Sequence, residues 1–388
     1  MRKLASLSLL LLAGLIAFCA PGSPASAQEN FPALVVNAVE LSGDGAIAGT
    51  NFRDGVMLAI KDINAAGGVL GRRLETFTMD VQTRPEVAKA ALARAKAMDA
   101  VAVMGPVFSG VVAAGMDEIR ANGIPTFIGG EAAGLTLQGN PYLFRTSLSQ
   151  AAAMPRLARY LREGLGVTSV AMVWVDNEFG RGGREAMTAA LAAEGVRLAV
   201  DLPTRPGQTD FEEVADQVRE ADADAAFVYL NEGETPGCVQ AIHDAPYGKW
   251  VVGETTLMGQ GVLDRAGEAL SGARGHVGLT PDALVPGVQD FANAYLREYG
   301  YRSDHNGMKG YIAAHVLKAA AEKAGRLDRG AVAEAMRGLT LSAKDHPGVL
   351  LDVRYDDKGD LDRASFIVRV ANDRHQFIAM LPAAAGNF

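Results

Sequence analysis

The amino-acid sequence predicts an α/β protein with two lobes, each built on a parallel β-sheet that carries helices on both faces. Two series of strand-like segments alternate with helical segments, one before residue 130 and one after residue 168. The chain has 388 residues, more than one ordinary hydrophobic core accommodates. We therefore predict two Rossmann-like lobes.

The first segment of the chain has the pattern of a secretion signal. Arg2 and Lys3 precede an apolar run, and small residues lead up to Ala27. We expect cleavage after Ala27 and a mature protein in the periplasm, with no membrane insertion. The alternative is lipoprotein processing at Cys19, but the bulky Phe18 precedes it where a small residue is needed.

The composition of the mature chain excludes several kinds of partner. Removal of residues 1–27 takes away Arg2 and Lys3, so the net charge of −8 becomes −10. An acidic surface without a basic pattern argues against nucleic acid and anionic lipid as partners. Cys238 is then the one remaining cysteine, which excludes an intrachain disulfide.

The first series opens on a strand and a long amphipathic helix. Phe52, Val56, Met57, Ile60 and Ile63 form one apolar stripe, for which Thr50 is a plausible N-cap. Two consecutive glycines and a third after them then permit the turn into the next strand. The strand segments of this series are 33–41, 74–80, 100–105 and 124–129.

The second series repeats the pattern, and the remainder of the chain differs from it. Its strand segments are 169–175, 196–202, 224–230, 249–254 and 275–280. After residue 280, helical patterns cover 291–300, 310–325 and 329–337 without a third run of alternating strands. We expect this last region to complete a lobe that has already begun.

The loop after the first strand is rich in glycine. Gly43, Gly45 and Ala48 fit the pattern G-x-G-x-x-[GA] of dinucleotide sites. The acidic residue that such sites need about 20 residues further on is missing, since Asp80 lies too far along. A glycine-rich ligand loop is the favoured interpretation, and we expect no cofactor.

Two later loops of the first lobe offer groups for an anion or a polar ligand. Ser109 and Gly110 begin a helix, so Ser109 is either only an N-cap or, with the free backbone N–H groups there, a carboxylate site. The following loop, residues 129–134, is either a solvated turn or a close approach to a ligand through Gly130, Glu131 and Ala132.

The loops of the second lobe bring an aromatic ring and carboxylates to the corresponding edge. Phe179 follows a strand and either stacks on a ligand or fills a gap between the lobes. Glu232, Glu254 and Thr255 lie in the next two loops, where the carboxylates either pair with a ligand ammonium group or remain surface charges.

Patterns that indicate catalysis or metal binding are missing from the sequence. The six histidines show no metal-ligand spacing, and no G-x-S-x-G elbow or phosphate-binding loop occurs. Cys238 is followed by an amphipathic stretch and is expected to be buried rather than nucleophilic. We therefore expect neither an enzyme nor a metalloprotein.

Taken together, several segments resemble one family, the type 1 periplasmic solute-binding proteins of the branched-chain amino-acid uptake group. The likeness runs from about residue 33 to 371, and the helix segment ending in D-I-N-A-x-G-G is its most specific part. The other signposts are LSGDGAIAG, VMGPVFSG, GIPTFI, LFRTSLS, DNEFGRGG and YDDKGD.

The resemblance implies two Rossmann-like lobes joined by three hinge crossovers, near residues 145–149, 276–280 and 354–362. Lobe 1 would comprise residues 28–147 and 278–357. Lobe 2 would comprise residues 148–277 and 358–388. The helix that ends at the two glycines would then be part of the framework of lobe 1.

The resemblance also implies a site. Ser109, flanked by Phe108 and Gly110, matches the serine that binds the ligand α-carboxylate, and Phe179 retains an aromatic ring. The residue that holds the α-ammonium group aligns near Thr255, beside Glu254. The chain departs from the pattern at several positions, because a hydroxyl is lost around Gly130 and Ala132, aromatic rings are lost at Ala48 and Gly233, and the small disulfide is absent at Thr83 and Phe108.

The expected function is that of an exported receptor that closes around a small molecule and delivers it to a membrane permease and its ATPase. The alternative is a receptor of the same fold that signals to a membrane or regulatory partner, and an enzyme is the third choice. The expected ligand is a small carboxylated solute, an amino acid or an aromatic or other organic acid, because Ser109 keeps the carboxylate site. The loss of two aromatic rings would enlarge the pocket, which argues against an ordinary α-amino acid and for a larger ligand such as an aromatic acid. Glu131, Glu232 and Glu254 would repel an anion unless they point away from it.

Overall fold

The first sheet is parallel and lies in the amino-terminal part of residues 31–383, which are the residues that the structure, a computed structural model, describes. Its strand order is β2-β1-β3-β4-β5. The strands are β1 Ala33–Val39, β2 Leu74–Asp80, β3 Ala102–Met104, β4 Thr126–Ile128 and β5 Leu143–Arg145. The helices are α1 Ala46–Ala65, α2 Pro85–Ala97, α3 Ser109–Ala114 and α4 Met116–Asn122, with a 3-10 helix at Ala133–Gln138.

The second sheet begins with five further parallel strands. These strands are β6 Ser169–Val175, β7 Arg197–Thr204, β8 Ala225–Tyr229, β9 Trp250–Gly253 and β10 Arg274–Val277. The helices are α5 Gln150–Arg159, α6 Glu178–Ala193, α7 Glu212–Glu220, α8 Thr235–Asp244 and α9 Gln260–Ala266, with a π-helical turn at Tyr160–Gly164 and a 3-10 turn at Gly267–Leu270. The α/β class predicted from the alternating segments is confirmed.

Residues 286–383 add three helices and five strands. The elements are α10 Pro286–Tyr299, α11 His305–Ala324, α12 Arg329–Met336, β11 Thr340–Leu341, a 3-10 turn at Pro347–Val349, β12 Val353–Tyr355, β13 Leu361–Arg363, β14 Ser365–Ala371 and β15 Arg374–Leu381. β11, β12 and β13 form a small antiparallel sheet. β14 and β15 extend the second sheet to the order β15-β14-β10-β9-β8-β6-β7, so this region completes a sheet already begun, as expected.

The chain enters or leaves the part built on the second large sheet at three places. These are between Arg145 and Gln150, between Val277 and Pro286, and between Arg363, the last residue of β13, and Ser365. The first two overlap the stretches 145–149 and 276–280 expected to be hinges, and the third follows the stretch 354–362. The lobe boundaries at 147, 277 and 357 stay a prediction.

Helix α1 is longer than its apolar pattern indicated. It begins at Ala46 after Gly45, so the prediction that Thr50 caps it is wrong. Phe52, Val56, Ile60 and Ile63 are buried as expected, whereas Met57 is 41% exposed. The glycines after the helix have positive φ angles, as the turn required.

The buried face of α1 packs on α11 at very short range. A Cβ atom on Gly55 would lie 1.9 Å from the carbonyl oxygen of Gly307, and one on Gly310 would lie 2.0 Å from that of Phe52. Glycine is therefore required at these contacts, which fix the start of α11 against the first sheet. Among residues 31–383, no helix combines the length and apolar character needed to cross a bilayer.

Candidate functional site

A cavity lies where loops of the two large sheets meet the start of α11. It encloses about 410 Å³ of space not filled by atoms, including the part open to solvent. Its lining comprises Ala48, Val107, Phe108, Ser109, Gly129, Glu131, Phe179, Asn231, Glu232, Thr256, His305, Asn306 and Lys309. Most of these residues follow the carboxyl ends of parallel strands, where α/β proteins bind ligands.

Ser109 contacts the neighbouring loop instead of capping a helix. Phe108 holds the N-cap position of α3, and Ser109 is the first helical residue, so the N-cap prediction is wrong. The Ser109 Oγ accepts hydrogen bonds from the backbone N–H groups of Glu131 and Ala132, both at 3.2 Å. A hydroxyl has two acceptor lone pairs and one proton, so Ser109 keeps an O–H that can donate to a group in the cavity.

The carboxylate that supports the loop before α3 comes from Glu40, at the end of β1. Its Oε2 and Oε1 accept from the backbone N–H groups of Val107 and Phe108, at 3.0 and 3.1 Å. Burial raises the pKa of Glu40 to about 7, although both hydrogen bonds oppose the shift. Glu40 is thus a support beneath the site.

The glycine-rich loop packs on Glu40. A Cβ on Gly45 would lie 2.8 Å from the Glu40 Cβ, and one on Gly49 would lie 1.9 Å from the Glu40 carbonyl oxygen. Ala48, in the first turn of α1, is the residue of this segment that lines the cavity. The glycines therefore permit close backbone packing, which accounts for them without a dinucleotide.

A buried ion pair joins α11 to the loop after β4. The Lys309 Nζ lies 2.7 Å from the Glu131 Oε1, and the exposed fractions of the two residues are 3% and 7%. Burial raises the pKa of Glu131, and the charge of Lys309 opposes that shift. Lys309 also donates to the Asn306 Oδ1 at 3.3 Å, which leaves one of its three N–H groups for another partner.

Glu232 connects the loop after β8 to the start of α11. Its Oε1 accepts from the Asn306 Nδ2 at 3.1 Å and lies 3.5 Å from the His305 Nε2. Burial, reinforced by the nearby Asp304 carboxylate, raises the pKa of Glu232 to about 8. Burial also lowers the pKa of His305, which favours a neutral imidazole. The hydrogen bond between Asn306 and Glu232 therefore connects the two sides of the cavity.

Glu232, Asp304 and His305 are also close enough together to be considered for a metal ion. One possible ligand atom from each lies within 4.8 Å of the others. The Lys309 charge and the positive end of the α11 dipole lie beside them, and Asn306 already donates to Glu232. These features oppose a cation, so the arrangement fits a polar contact between protein groups better than a metal site.

The aromatic side chains form the apolar part of the lining. The Phe179 ring stacks on Tyr229, with centroids 4.3 Å apart, and also faces the cavity. Phe108 lines the cavity from the first sheet. Phe179 thus packs against the protein on one side and is available to a ligand, which combines the two alternatives left open by the sequence.

Five of the ten residues expected to bind a ligand line the cavity, namely Phe108, Ser109, Glu131, Phe179 and Glu232. The other five, Gly110, Gly130, Ala132, Glu254 and Thr255, lie outside its lining. The Glu254 carboxylate contacts the His276 Nδ1 at 3.1 Å and the Thr255 N–H at 2.5 Å. The carbonyl groups of Gly130 and Ala132 both accept from Arg145. Ligand contact by any of the ten stays a prediction.

Sequence reasoning missed the contribution of α11 and of Thr256. His305, Asn306 and Lys309 lie in the first turns of that helix, and the helical pattern was recognised only from residue 310. The signal was a lysine amid small and apolar residues, NGMKGYIAA, at positions that are buried. Thr256 lies next to the expected Thr255, and its buried hydroxyl has no hydrogen-bond partner in the described part of the chain.

Comparison with known proteins gives the family of the chain. The family model of the periplasmic binding proteins matches residues 35–375, and the chain belongs to this family. One relative is the Leu/Ile/Val-binding protein BraC3 of Rhizobium johnstonii, 26% identical over 335 residues, which are 84% of this chain and 88% of the relative. Leu/Ile/Val-binding protein homolog 3 of Brucella melitensis is 25% identical with the same coverage.

Solved structures have the same fold. A solute-binding protein of an ABC transporter from Rhodopseudomonas palustris, in complex with benzoate, has a TM-score of 0.83 at 19% identity and covers 92% of this chain and 98% of its own. The branched-chain amino-acid binding protein LivJ of Streptococcus pneumoniae, in complex with isoleucine, has a TM-score of 0.82 at 21% identity, with coverages of 90% and 99%. The expected type 1 periplasmic binding protein fold is confirmed.

Proposed function

We propose that the protein is the substrate-binding component of an ABC uptake transporter and binds a small carboxylated solute in the cavity. The solute would be an amino acid or an aromatic or other organic acid. The protein would deliver it to a cognate permease and ATPase and would itself perform no catalysis. Export to the periplasm, with cleavage after Ala27, is part of the proposal; Ala27 and Cys19 lie outside the described residues.

The observation that carries this proposal is the pair of donors around Glu131. The Ser109 hydroxyl keeps a proton to donate, and Lys309 keeps an N–H and a positive charge. Both side chains contact Glu131, one through its backbone and one through its carboxylate, so both lie at the same end of the cavity. A carboxylate that accepts from a hydroxyl and an ammonium group gains two charge-assisted hydrogen bonds.

The repulsion expected from the glutamates is largely removed by their partners. Glu131 is paired with Lys309, and Glu254 contacts His276 outside the lining. Burial raises the pKa of Glu232, which is bonded to the neutral Asn306 amide, to about 8, and this favours the uncharged acid at neutral pH. The relatives give independent support for a carboxylated solute, because their names and complexes include branched-chain amino acids and benzoate.

A thermal-shift screen of the mature chain, residues 28–388, tests the proposal. The panel holds amino acids, aromatic acids, aliphatic acids, and the amide of each acid. A ligand that binds only the folded state raises the melting temperature, so we expect a rise with one class of carboxylate and none with its amide. Protein that has been unfolded and refolded to remove any co-purified solute is used. No rise with any carboxylate would contradict the proposal.

A further inference from the structure

The side chain of Arg363 is a buried cation at the third passage of the chain. Arg363 ends β13, directly before the chain reaches β14, and 1% of its surface is exposed. Its Nε, Nη1 and Nη2 atoms have no hydrogen-bond partner among residues 31–383. Buried polar atoms are nearly always paired, and a buried charge without a partner is far more costly than a neutral group. Arg363 therefore needs an acceptor from outside the described chain.

The hydroxyl of Tyr355 is a second buried donor on the same face of the small sheet. Tyr355 pairs with Leu361 in the antiparallel register of β12 and β13. Arg363 pairs with Val353, two residues before Tyr355, so Arg363 and Tyr355 are diagonal neighbours on one face. Tyr355 is 1% exposed, and within the described part of the chain its hydroxyl has no hydrogen-bond partner. Burial raises the pKa of Tyr355, so it keeps its proton and can donate it.

Two carboxylates close to Arg363 in the chain are bonded to other arginines. The Asp360 Oδ1 accepts from the Arg145 Nε at 2.9 Å. The Asp362 Oδ1 accepts from an Nη atom of Arg156 at 3.0 Å. Each aspartate thus has an arginine of its own, and Arg363 remains as an additional positive charge.

Other charges around Arg363 leave it ionised. The Glu131 carboxylate attracts Arg363 through space but is paired with Lys309 at 2.7 Å. The positive charge of Arg156 repels it. Burial, reinforced by this repulsion, lowers the pKa of Arg363 to about 10, so the guanidinium still carries its charge at neutral pH.

A small anion matches the two donors better than water does. A guanidinium group presents five N–H donors in one plane and accepts nothing, and the Tyr355 O–H adds a further donor beside it. Water could satisfy some of these donors, but it would leave the positive charge buried without a counter-charge. Because both side chains are almost completely buried, a compact monovalent anion suits them better than a large one.

We propose that Arg363 and Tyr355 bind a small monovalent inorganic anion, such as chloride, at the third passage of the chain. The anion accepts from the guanidinium N–H groups and from the Tyr355 O–H. Arg156, in α5, donates to the Arg363 carbonyl at 3.2 Å, so the site lies where the small sheet meets the part built on the second sheet. Neither Arg363 nor Tyr355 lines the cavity proposed for the solute, so the anion site is separate from it.

The dependence of stability on chloride tests this proposal on the mature protein, residues 28–388. The melting temperature is compared in roughly 0.2 M sodium chloride and in sodium isethionate of equal ionic strength, whose anion is much larger. An anion that binds only the folded state raises the melting temperature, so we expect a value higher by about 2 °C or more in chloride. Arg363→Met should abolish this difference, whereas Arg354→Met, at an exposed position of β12, should retain it.

A second variant keeps the test independent of how Arg363→Met folds. Tyr355→Phe removes one donor to the anion and leaves the guanidinium, so it should reduce the chloride effect without abolishing it. In isethionate, Arg363→Met should be at least as stable as the unmodified protein, because an apolar side chain replaces an unpaired buried charge. An equal chloride effect in the unmodified protein, Arg363→Met and Tyr355→Phe would overturn the proposal.

Crystals of the unmodified protein grown with bromide in place of chloride locate the anion. We expect an anomalous difference peak within about 3.5 Å of a guanidinium nitrogen of Arg363. Ordered water at this position without an anomalous signal would overturn the proposal, and so would a bromide peak in the solute cavity with none at Arg363. Either result leaves the proposed function standing, because solute binding is measured separately at the cavity.

Discussion

At the residue scale, Glu131 links the two groups expected to hold the solute. Its backbone N–H donates to the Ser109 Oγ, and its carboxylate is bonded to the Lys309 Nζ. A buried pair of this kind contributes little to stability compared with apolar residues of the same size. The arrangement is therefore better explained by the positions that it gives to Ser109 and Lys309.

Substitution of Ser109 tests the first of these positions. Ser109→Ala removes the hydroxyl that is expected to donate to the carboxylate, so binding of a carboxylate solute should weaken by about 1–3 kcal/mol. The measurement is calorimetric titration, with Ser271→Ala at an exposed position as the control. An unchanged affinity in Ser109→Ala would remove Ser109 from the site.

Glu40 gives a prediction for pH dependence. Burial raises its pKa from 4.5 to about 7 in the folded protein, so the folded state binds more protons than the unfolded state between these values. The free energy of unfolding should therefore fall as the pH rises, by at most about 3 kcal/mol from Glu40 alone. This fall in the free energy of unfolding is complete above about pH 7 and absent below about pH 4.5.

Denaturant unfolding at pH 5 and pH 8 measures this effect. Glu40→Gln should lose the pH-dependent part, so its stability relative to the unmodified protein should increase with pH. Glu185→Gln, at an exposed position of α6, is the matched control and should follow the unmodified protein. The same pH dependence in Glu40→Gln and in the unmodified protein would show that Glu40 does not titrate in this range.

Part of the site could be predicted residue by residue. Ser109, Glu131, Phe179 and Glu232 were expected near a ligand because residues after a strand lie at the ligand-binding edge of a parallel sheet, and Phe108 was expected there because it flanks Ser109 in the family resemblance. All five line the cavity. The direction in which each side chain points could not be predicted from the sequence. Glu254, for example, follows its strand in the same way as Glu232 but turns to His276.

At the element scale, the packing of α1 on α11 gives the sharpest prediction. Gly55→Ala or Gly310→Ala would place a Cβ within about 2 Å of a backbone oxygen, which the two helices cannot absorb without separating. We expect each to lower the free energy of unfolding by about 3 kcal/mol or more. Gly330→Ala, exposed in α12 with ordinary contacts, should be neutral or stabilising by up to about 1 kcal/mol.

Denaturant unfolding of the three glycine variants measures these changes in the free energy of unfolding. Because α11 carries His305, Asn306 and Lys309, the two packing variants should also weaken solute binding if they fold. Equal stability of Gly55→Ala and Gly330→Ala would mean that the helices do not pack as closely as described.

The long elements were predictable because their periodicity was strong. Strands β2 and β6 were predicted with the bounds that the structure has, and the predicted bounds of the other seven strands up to β10, apart from the missed β5, differ by at most three residues at either end. Strand β5 and the strands after residue 339 were missed because they are short or carry charged residues on exposed positions. The exposed Phe377, Ile378 and Met380 of β15, at the edge of the sheet, illustrate how weak the alternation is there.

At the scale of the whole molecule, the cavity depends on groups far apart in the chain. Glu232 from the second sheet contacts Asn306 from α11, and both lie near Ser109 and Glu131 from the first sheet through the shared cavity. Two series of alternating elements were enough to predict two lobes. The approach of α11 to the cavity is a tertiary arrangement, and the local pattern NGMKGYIAA indicates only that Lys309 is buried.

We expect the two lobes to close about the three passages of the chain when a solute binds. A solute that contacts both sides of the cavity favours the closed form, because both sets of contacts exist only there. Small-angle X-ray scattering should therefore show a smaller radius of gyration when a binding acid is added. Its amide at the same concentration is the control, and an unchanged radius with bound acid would argue against closure.

The claim that the cavity binds a carboxylated solute is tested most directly by titrating the mature protein with the best acid of the screen and with its amide. We expect the acid to bind at one site per chain and the amide, which lacks the charge, to bind at least tenfold more weakly. We also expect Lys309→Met to remove most of this difference. Equal affinities for acid and amide in the unmodified protein would contradict a carboxylate site in the cavity.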